Sequence, residues 1–584
     1  MRRKLIKKSL PLPHAEETLA ETNVVKGTHM NSTFNLEQEA LASYNYLETL
    51  VEPATGFTYF DVFLMDPAEA VHDWPDFLDV PGRSAETCTL LRHMTGRPVA
   101  TEEAFFRRLY GFQREDGLFY RPETAITRPE MMREEQALVM AALLARAIGD
   151  SDREAEERLH RLIQALANTP VHSGPFPAML IRPLVRAWEA LGMQTAYTLV
   201  SRLRDHLLHE SPLFRPDGSF AGHVHSHLYA AAGLAELGRL TEDEPLLMHM
   251  DRVYRTMRDR STAFGFVPEL TERADDVVGC ETCCLMDYIH LALALTRAGK
   301  TAYFEDIERA VRNHLVESRV KHGDWLPKRP DAADEGLVRR TGVQRAVVGA
   351  YAGWSSPNHL LAYEEFLPAA WIKTPDLAPL YLNKVRALQN CCSPSGPKAL
   401  YLAWQHAARV EGSTLRINLR MDRVLPEAEV RGYEPWAGRV EVLAHTPLRI
   451  ALRKPDFAEP SAVRAALQGT PVVTRREGEY LVTPEVSAGD RLIFAYPLPE
   501  RQEAVTIGNV GFQQYRYTVS WRGSTVLWME PGDNPPLGRS HLMAEPVQLY
   551  YGAQGPHPLY RREGLLVEVP TPEPLHQTGG PNIW

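Results

Sequence analysis

The chain has 584 residues, of which 44% are hydrophobic and 24% are charged, and its formal net charge at pH 7 is −10. This composition is typical of a globular protein with a large core, and it excludes a disordered or fibrous chain. The acidic balance argues against a nucleic-acid partner. The six cysteines are too few for the disulfide framework of a small secreted protein.

The first predicted segment is an N-terminal arm over residues 1–30, which is rich in charge and has no clear periodicity. Its basic start is followed by a Pro-containing, acidic stretch and not by an apolar signal-peptide core. A transmembrane helix needs about 18 or more consecutive apolar residues, and the sequence contains no such run. We therefore expect a cytoplasmic protein with reduced thiols and no membrane partner. The sequence leaves the oligomeric state open, with a homodimer as one option.

Residues 31–410 are predicted to form one helical domain, because long apolar-periodic segments repeatedly end in glycine, the residue that best adopts the left-handed conformation after a helix. These glycines are Gly96, Gly149, Gly192, Gly238 and Gly299. Each interval between them accommodates one helical hairpin. Because the intervals are uneven, a closed α/α barrel of hairpins is favoured over an α-solenoid with uniform repeats.

Polar residues gather at the starts of three predicted helices. They are Arg133–Gln136, His223–His227 and Glu281–Cys284. In a barrel of hairpins, the inner helices direct one set of ends into one central cup. We therefore expect these three helix starts to meet there.

Residues 411–584 are predicted to form an antiparallel β-sandwich region. Several segments alternate apolar and polar residues, which is the pattern of a half-buried strand. They include Leu415–Met421, Val440–Leu443, Leu448–Arg453, Arg491–Tyr496 and Tyr515–Trp521. Gly and Pro separate them at short intervals, as in a sandwich. The predicted fold is therefore mainly α, a helical barrel followed by an antiparallel β-sandwich.

Five of the six cysteines lie in two tight clusters, with Cys88 on its own. The clustered residues are Cys280, Cys283, Cys284, Cys391 and Cys392. Together with Glu281, they supply enough ligands for one tetrahedral zinc ion. The alternative is that they are small buried core residues, as free cysteines often are. Chance clustering of five cysteines is improbable enough that metal binding is the favoured interpretation.

The motifs around these cysteines resemble those of the β-L-arabinofuranosidase family of glycoside hydrolases, family 127 and its relatives. That family carries Glu-Thr-Cys at a helix start and then Cys-Cys-Pro-Pro-Asn. Here Glu281-Thr282-Cys283 is followed by Cys391-Cys392-Ser393-Pro394. With Gly222-His223 and the strand-rich tail, the resemblance extends over most of residues 70–530. It implies an α/α six-hairpin barrel followed by β-sandwich domains.

The resemblance also implies a chemistry, that of a retaining exo-glycosidase acting on an L-arabinofuranose-type sugar. In this family-based assignment, Glu281, Cys283, Cys391 and Cys392 bind Zn²⁺, and Cys391 is the nucleophile. The assignment is chemically reasonable, because zinc coordination keeps a cysteine as thiolate at neutral pH.

A retaining glycosidase also needs a general acid/base. In the family, this glutamate lies sixteen residues before the zinc-binding Glu, but that position here is Gly265. Glu269 is the preferred candidate, because Phe266–Pro268 provide apolar surroundings of the kind that raise the pKa of a carboxyl group. Glu272 is the alternative.

Three residues are predicted to bind substrate. His223 matches the family's sugar-contacting histidine, Gln136 is expected to replace a pocket histidine as a hydroxyl-binding amide, and Tyr381 resembles a pocket tyrosine. The stretch after Cys392 departs from Pro-Pro-Asn, so two alternatives remain. The same machinery can act on another rare sugar, such as an acidic deoxysugar of pectin, or the chain can be a non-catalytic zinc-containing carbohydrate-binding protein.

Overall fold

The computed structural model describes residues 34–52, 55–64, 67–272, 279–324, 326, 333–360, 388–507, 515–530 and 582–584. The predicted arm over residues 1–30 and the predicted sugar-binding Tyr381 lie outside these ranges. No helix in these ranges is both long and apolar enough to cross a membrane.

Fifteen α-helices occur in the described part of the chain. They are α1 (Leu36–Leu41), α2 (Tyr44–Thr49), α3 (Asp79–Thr95), α4 (Glu102–Phe112), α5 (Arg133–Gly149), α6 (Arg153–Ala167), α7 (Pro175–Ala178), α8 (Ile181–Leu191), α9 (Gln194–Asp205), α10 (Val224–Leu240), α11 (Glu244–Arg260), α12 (Thr282–Arg297), α13 (Phe304–Ala310), α14 (Val343–Ala346) and α15 (Cys392–Ala407). Helical turns of other types cover Trp74–Asp76, His206–Glu210, Thr301–Tyr303, Val311–Leu315 and Pro460–Ala462.

Six of these helices form a closed ring. Helix α3 packs on α5, followed in turn by α8, α10, α12 and α15, and α15 returns to α3. Each ring helix carries one outer helix: α4, α6, α9, α11 and α13 follow their inner partners in sequence, and α1 packs on α15. The six-hairpin α/α barrel that the sequence and the resemblance predicted is therefore confirmed.

The two layers differ in sequence as their positions require. Inner helix α10 is buried on nearly all sides and rich in alanine, whereas outer helix α6 buries only one apolar stripe. A Cβ at Gly233 in α10 would lie 2.7 Å from the backbone of Arg182 in α8, so glycine allows these two inner helices to approach closely. Gly96 and Gly192 end α3 and α8 in the left-handed conformation, as predicted.

Twenty strands are described. They are β1 (Asp61–Phe63), β2 (Glu69–Val71), β3 (Gly222–His223), β4 (Leu270–Thr271), β5 (Val338–Arg339), β6 (Leu388–Gln389), β7 (Ala408–Glu411), β8 (Thr414–Ile417), β9 (Arg423–Leu425), β10 (Ala428–Gly432), β11 (Arg439–Ala444), β12 (Leu448–Arg453), β13 (Arg464–Leu467), β14 (Thr470–Val472), β15 (Arg475–Glu477), β16 (Tyr480–Val486), β17 (Arg491–Ala495), β18 (Glu500–Ile507), β19 (Tyr515–Arg522) and β20 (Thr525–Glu530).

The strands after the barrel form two larger sheets that enclose their own apolar core. One sheet has the order β14-β13-β17-β11-β10-β9, and the other has the order β15-β16-β12-β8-β7. Their strands are antiparallel as predicted, except for the parallel pair β8 and β12. A third sheet, β18-β19-β20, is separate from these two, and its Tyr517, Val519 and Trp521 belong to the core of the barrel.

Candidate active site

The site lies at the N-terminal ends of the inner helices. His223 directly precedes α10, Glu281 precedes α12, and Cys391 precedes α15. A small sheet supports the last of these: β6 pairs with β1, and the backbone N–H of Asn390 donates to the carbonyl of Phe60 over 2.8 Å. Helices and sheet together hold Cys391 at the mouth of the barrel.

Glu281, Cys283, Cys391 and Cys392 converge, with their ligand atoms all within 4.8 Å of one another. The Sγ atom of Cys392 lies 3.3 Å from Cys283 Sγ and 3.8 Å from Cys391 Sγ. It also lies 3.6 Å from Glu281 Oε1. All four side chains are buried, and Cys391, at 8%, is the most exposed of them. This group is called the cysteine cluster below.

The separations within the cysteine cluster fit a tetrahedral metal site. Metal–sulfur bonds of about 2.3 Å and metal–oxygen bonds of about 2.1 Å place two sulfurs about 3.8 Å apart and sulfur and oxygen about 3.6 Å apart. Two of the observed distances equal these values, and the third is 0.5 Å shorter. The cluster can therefore hold a metal ion, and its thiolate-rich donor set is of the kind that suits zinc.

The three thiols of the cluster differ in acidity. Hydrogen bonds from Cys283 and Cys392 lower the pKa of Cys391 to about 6. Burial raises the pKa values of Cys283 and Cys392 well above the ordinary thiol value. Cys391 is therefore the most acidic of the three thiols, and it also has the greatest access to solvent. A thiolate is the nucleophilic form of cysteine.

Glu281 is shared between the cysteine cluster and a histidine. Its Oε2 lies 2.9 Å from His223 Nε2 and also accepts from Cys284 Sγ over 3.1 Å. Burial opposes ionisation of both groups, but their mutual attraction lowers the pKa of Glu281 and raises that of His223. The predicted meeting of the helix starts at His223 and Glu281–Cys284 is thus observed.

Glu269 lies beside these residues on the neighbouring strand connection. Its carbonyl accepts from the N–H of Val224 over 2.8 Å, because β3 and β4 pair directly next to it. The same carbonyl lies 3.9 Å from Cys284 Sγ. The partly buried carboxylate accepts a hydrogen bond from Trp354 Nε1 over 2.8 Å. The backbone and one carboxylate oxygen of Glu269 are therefore fixed at the edge of the site.

Glu272, the alternative acid/base, has different surroundings. It is exposed, and Oε1 pairs with Arg215 over 2.7 Å and with Arg260 over 3.4 Å. The hydrogen bond from Arg215 lowers the pKa of Glu272. A general acid for glycoside cleavage needs the opposite shift, so this geometry favours Glu269.

The side chain of Gln136 is buried and makes its hydrogen bonds within the core. It is fully buried, and its amide bonds the backbone of Phe119 in both directions, each over 2.9 Å. The neighbouring Glu135 pairs with Arg121 over 2.9 Å. The expected contact between the Gln136 amide and a sugar hydroxyl therefore finds no support, because both polar atoms already hold a loop of the barrel.

Several residues around the site carry no motif by which the sequence could have singled them out. Phe60 packs against the cysteines of the cluster. The ring of Phe176 is 45% exposed and stacks on His223, with centroids 5.8 Å apart and planes at 28°. Arg83 approaches Cys283 from α3, with Nη1 4.0 Å from Sγ. Tertiary structure alone brings these three residues to the cup.

The chain matches no protein-family model and no curated protein sequence, whereas solved structures resemble it over most of its length. One is a family 127 β-L-arabinofuranosidase from Geobacillus stearothermophilus T6, with 14% identity, a TM-score of 0.54, and coverage of 83% of this chain and 80% of that one. Another family 127 β-arabinofuranosidase has 14% identity, a TM-score of 0.56, and coverage of 84% and 81%. A structure described as a glycoside hydrolase has 13% identity, a TM-score of 0.53, and 85% coverage of both chains. This chain therefore has the fold of the family 127 structures.

Proposed function

We propose that the chain is a retaining exo-glycosidase of the family 127 type, with Cys391 as nucleophile and Glu269 as general acid/base. The observation that carries the proposal is the convergence of Glu281 with three cysteines at the mouth of an α/α barrel. The most acidic thiol is also the most exposed member of that cluster. The fold likeness to structures described as β-L-arabinofuranosidases supports a carbohydrate substrate.

The first half-reaction forms a glycosyl-enzyme. The Cys391 thiolate attacks the anomeric carbon, forming a C–S bond while the bond to the leaving-group oxygen breaks. Glu269 donates its proton to that oxygen as it departs. The hydrogen bond from Trp354 Nε1 to Oε2 holds the carboxyl group of Glu269 in one orientation.

The second half-reaction releases the sugar. Glu269, now a carboxylate, removes a proton from water, and the water oxygen attacks the anomeric carbon. The C–S bond breaks, and its electron pair returns to the Cys391 sulfur. Because each half-reaction inverts the anomeric centre, the overall result is retention.

Glu281, Cys283, Cys391 and Cys392 are the residues that would hold Zn²⁺. When bound, the zinc stabilises thiolate charge at the cluster, which keeps the nucleophile ionised and makes sulfur a better leaving group. Cys283 and Cys392 are fully buried, so a role as ligands suits them better than attack on a substrate.

We propose a β-L-arabinofuranoside as the substrate, cleaved from the non-reducing end. His223 lies between the buried Glu281 and the exposed ring of Phe176. A sugar entering the cup thus meets an imidazole that can bond a hydroxyl and an aromatic face that can cover an apolar ring surface. A non-catalytic binding role would also use these contacts, but it would not need a thiol whose pKa is lowered to about 6.

Metal analysis and a thiol replacement test the proposal. The purified protein is expected to carry about one zinc per chain and to hydrolyse an aryl β-L-arabinofuranoside, and Cys391→Ala should abolish turnover. Cys88→Ala is the matched control, because Cys88 is buried within α3 and has no place in the cluster. Zinc-free wild-type protein, or full activity in Cys391→Ala, would overturn the proposal.

One observation favours a second candidate, the same machinery acting on another rare sugar. Ser395 stands in the stretch that departs from the family's Pro-Pro-Asn, and its Oγ lies 3.4 Å from Cys283 Sγ. The wall of the site beside the cluster therefore differs from the family pattern. A panel of aryl glycosides that includes acidic deoxysugars separates this candidate from the arabinofuranosidase.

A further inference from the structure

We propose that Arg83 is a positioning residue for the cysteine cluster, directing a fixed N–H donor and a positive charge at the sulfur of Cys283; this inference rests on the proposed function. Arg83 lies in the second turn of α3 and is only 7% exposed. Its Nη1 atom lies 4.0 Å from Cys283 Sγ. No sequence motif assigns it a role.

Two neighbours fix the orientation of the Arg83 guanidinium. Asp79, one turn earlier in α3, accepts from Nε over 2.7 Å. His225, in the first turn of α10, lies 3.2 Å from Nη2 through its own Nε2. With Nε and Nη2 held in this way, the remaining donor, Nη1, faces the sulfur of Cys283.

The polar network around Arg83 extends across four inner helices. His225 bonds Asp287 through Nδ1, and Asp287 lies one turn beyond Cys283 in α12. Asp287 also pairs with Arg182 of α8 over 3.5 Å. A buried polar chain therefore runs from Cys283 through Arg83 and His225 back to the helix that carries Cys283. Satisfied networks of this kind fix side-chain positions.

The positive charge of Arg83 faces a cluster that is negatively charged when it binds metal. Glu281 and three thiolates carry four negative charges, of which a divalent ion offsets two. A buried excess of negative charge is costly unless positive groups or hydrogen-bond donors face it. Arginine is protonated at any working pH, so Arg83 offsets part of this excess and provides a charged N–H donor to the sulfur of Cys283.

The test compares three variants of the full-length protein by zinc affinity, measured through competition with a chromophoric chelator. Arg83→Met removes the charge at similar volume, whereas Arg83→Lys keeps it but loses the planar fork. Arg92→Met is the matched control, since Arg92 lies at the other end of α3 and pairs with Glu102 and Asp150. Circular dichroism establishes that each variant is folded.

Zinc binding is expected to weaken by about tenfold or more in Arg83→Met, the range for residues that support metal ligands, and to remain unchanged in Arg92→Met. Folded Arg83→Met with wild-type zinc affinity would overturn the inference. If that variant does not fold, Arg83→Lys loaded with Co²⁺ decides: a shifted thiolate-to-cobalt charge-transfer band supports the role, and an unchanged band contradicts it. Wild-type protein that binds no zinc would instead overturn the proposed function.

Discussion

The carboxylate of Glu281 is shared: Oε2 lies 2.9 Å from Nε2 of His223, while Oε1 lies 3.6 Å from Cys392 Sγ. One oxygen is thus directed toward the cysteine cluster and the other toward an imidazole at the mouth of the barrel. His223 reaches this position because it directly precedes α10, whose neighbour in the ring is α12. The histidine therefore connects the buried cluster with the surface from which a substrate would enter.

Replacing His223 should affect both metal and substrate. His223→Leu removes the partner of Glu281 Oε2, so we expect zinc binding to weaken by about tenfold and KM to rise. His223→Gln keeps an N–H donor and should retain more of both. Chelator competition and steady-state kinetics measure the two effects. Equal zinc affinity in both variants and the wild type would show that His223 does not support Glu281.

Replacing Glu269 and replacing Glu272, the two candidates for the general acid/base, should have different effects on kcat. Glu269→Gln should lower kcat by about 10²–10⁴-fold, the usual contribution of a general acid/base, and azide should restore part of the turnover of an activated aryl glycoside. Glu272→Gln should change kcat little, because Glu272 is exposed and paired with Arg215. The assignment of Glu269 fails if the two variants exchange these phenotypes.

Phe176 should contribute to binding of the part of the substrate beyond the cleaved sugar. Its exposed ring stacks on His223 on the outer side of the site, where a sugar ring can cover it. Phe176→Ala should raise KM several-fold for a disaccharide, by the loss of about 1 kcal/mol of apolar contact. Met248→Ala is the control, since Met248 is 51% exposed on outer helix α11. Equal KM values in all three proteins would contradict a role for Phe176.

The stability of the fold should fall at acidic pH, in part through His406. Burial lowers the pKa of His406 to about 4, against about 6.5 in an unfolded chain. Between these values, the unfolded chain binds a proton that the folded chain does not, so stability is lost as pH falls from about 6.5 to about 4.

His406→Gln removes this titration. Between pH 6.5 and pH 4, the free energy of unfolding should fall in both proteins. The fall in His406→Gln should be about 2–3 kcal/mol smaller than that in the wild type. Denaturant titrations at several pH values measure the difference. A wild-type slope in His406→Gln would mean that the buried imidazole titrates normally.

The sequence predicts the helical ring and the cysteine cluster because both depend on local patterns. Gly96 and Gly192 mark helix ends through a conformation that glycine adopts readily, and Cys391 and Cys392 stand together in the chain. The contributions of Trp354, Phe176 and Arg83 are not predictable in this way, because each side chain reaches the site from a separate element. Their residue types are also ordinary in helices and loops.

Gln136 shows the converse. Gln136 lies at a helix start, where a residue lining the central cup is expected. Its amide instead hydrogen-bonds the backbone of Phe119, and only the path of the preceding loop reveals this partner. Buried backbone groups need such partners. The partner of the third sheet is not predictable for a similar reason: Val519 and Trp521 alternate with polar residues as in any half-buried strand, and only the tertiary structure shows that their apolar face packs on the barrel.

The proposed mechanism requires that Cys391 become covalently glycosylated during turnover. Zinc-loaded Glu269→Gln, in which release of the sugar is slow, is incubated with an aryl β-L-arabinofuranoside, quenched in acid, digested and analysed by mass spectrometry. This mechanism predicts one added sugar residue on the peptide that contains Cys391 and Cys392, located on Cys391 by fragmentation and lost in Cys391→Ser. A burst of released aglycone with the sugar attached to another residue, or with no attached sugar, would contradict it.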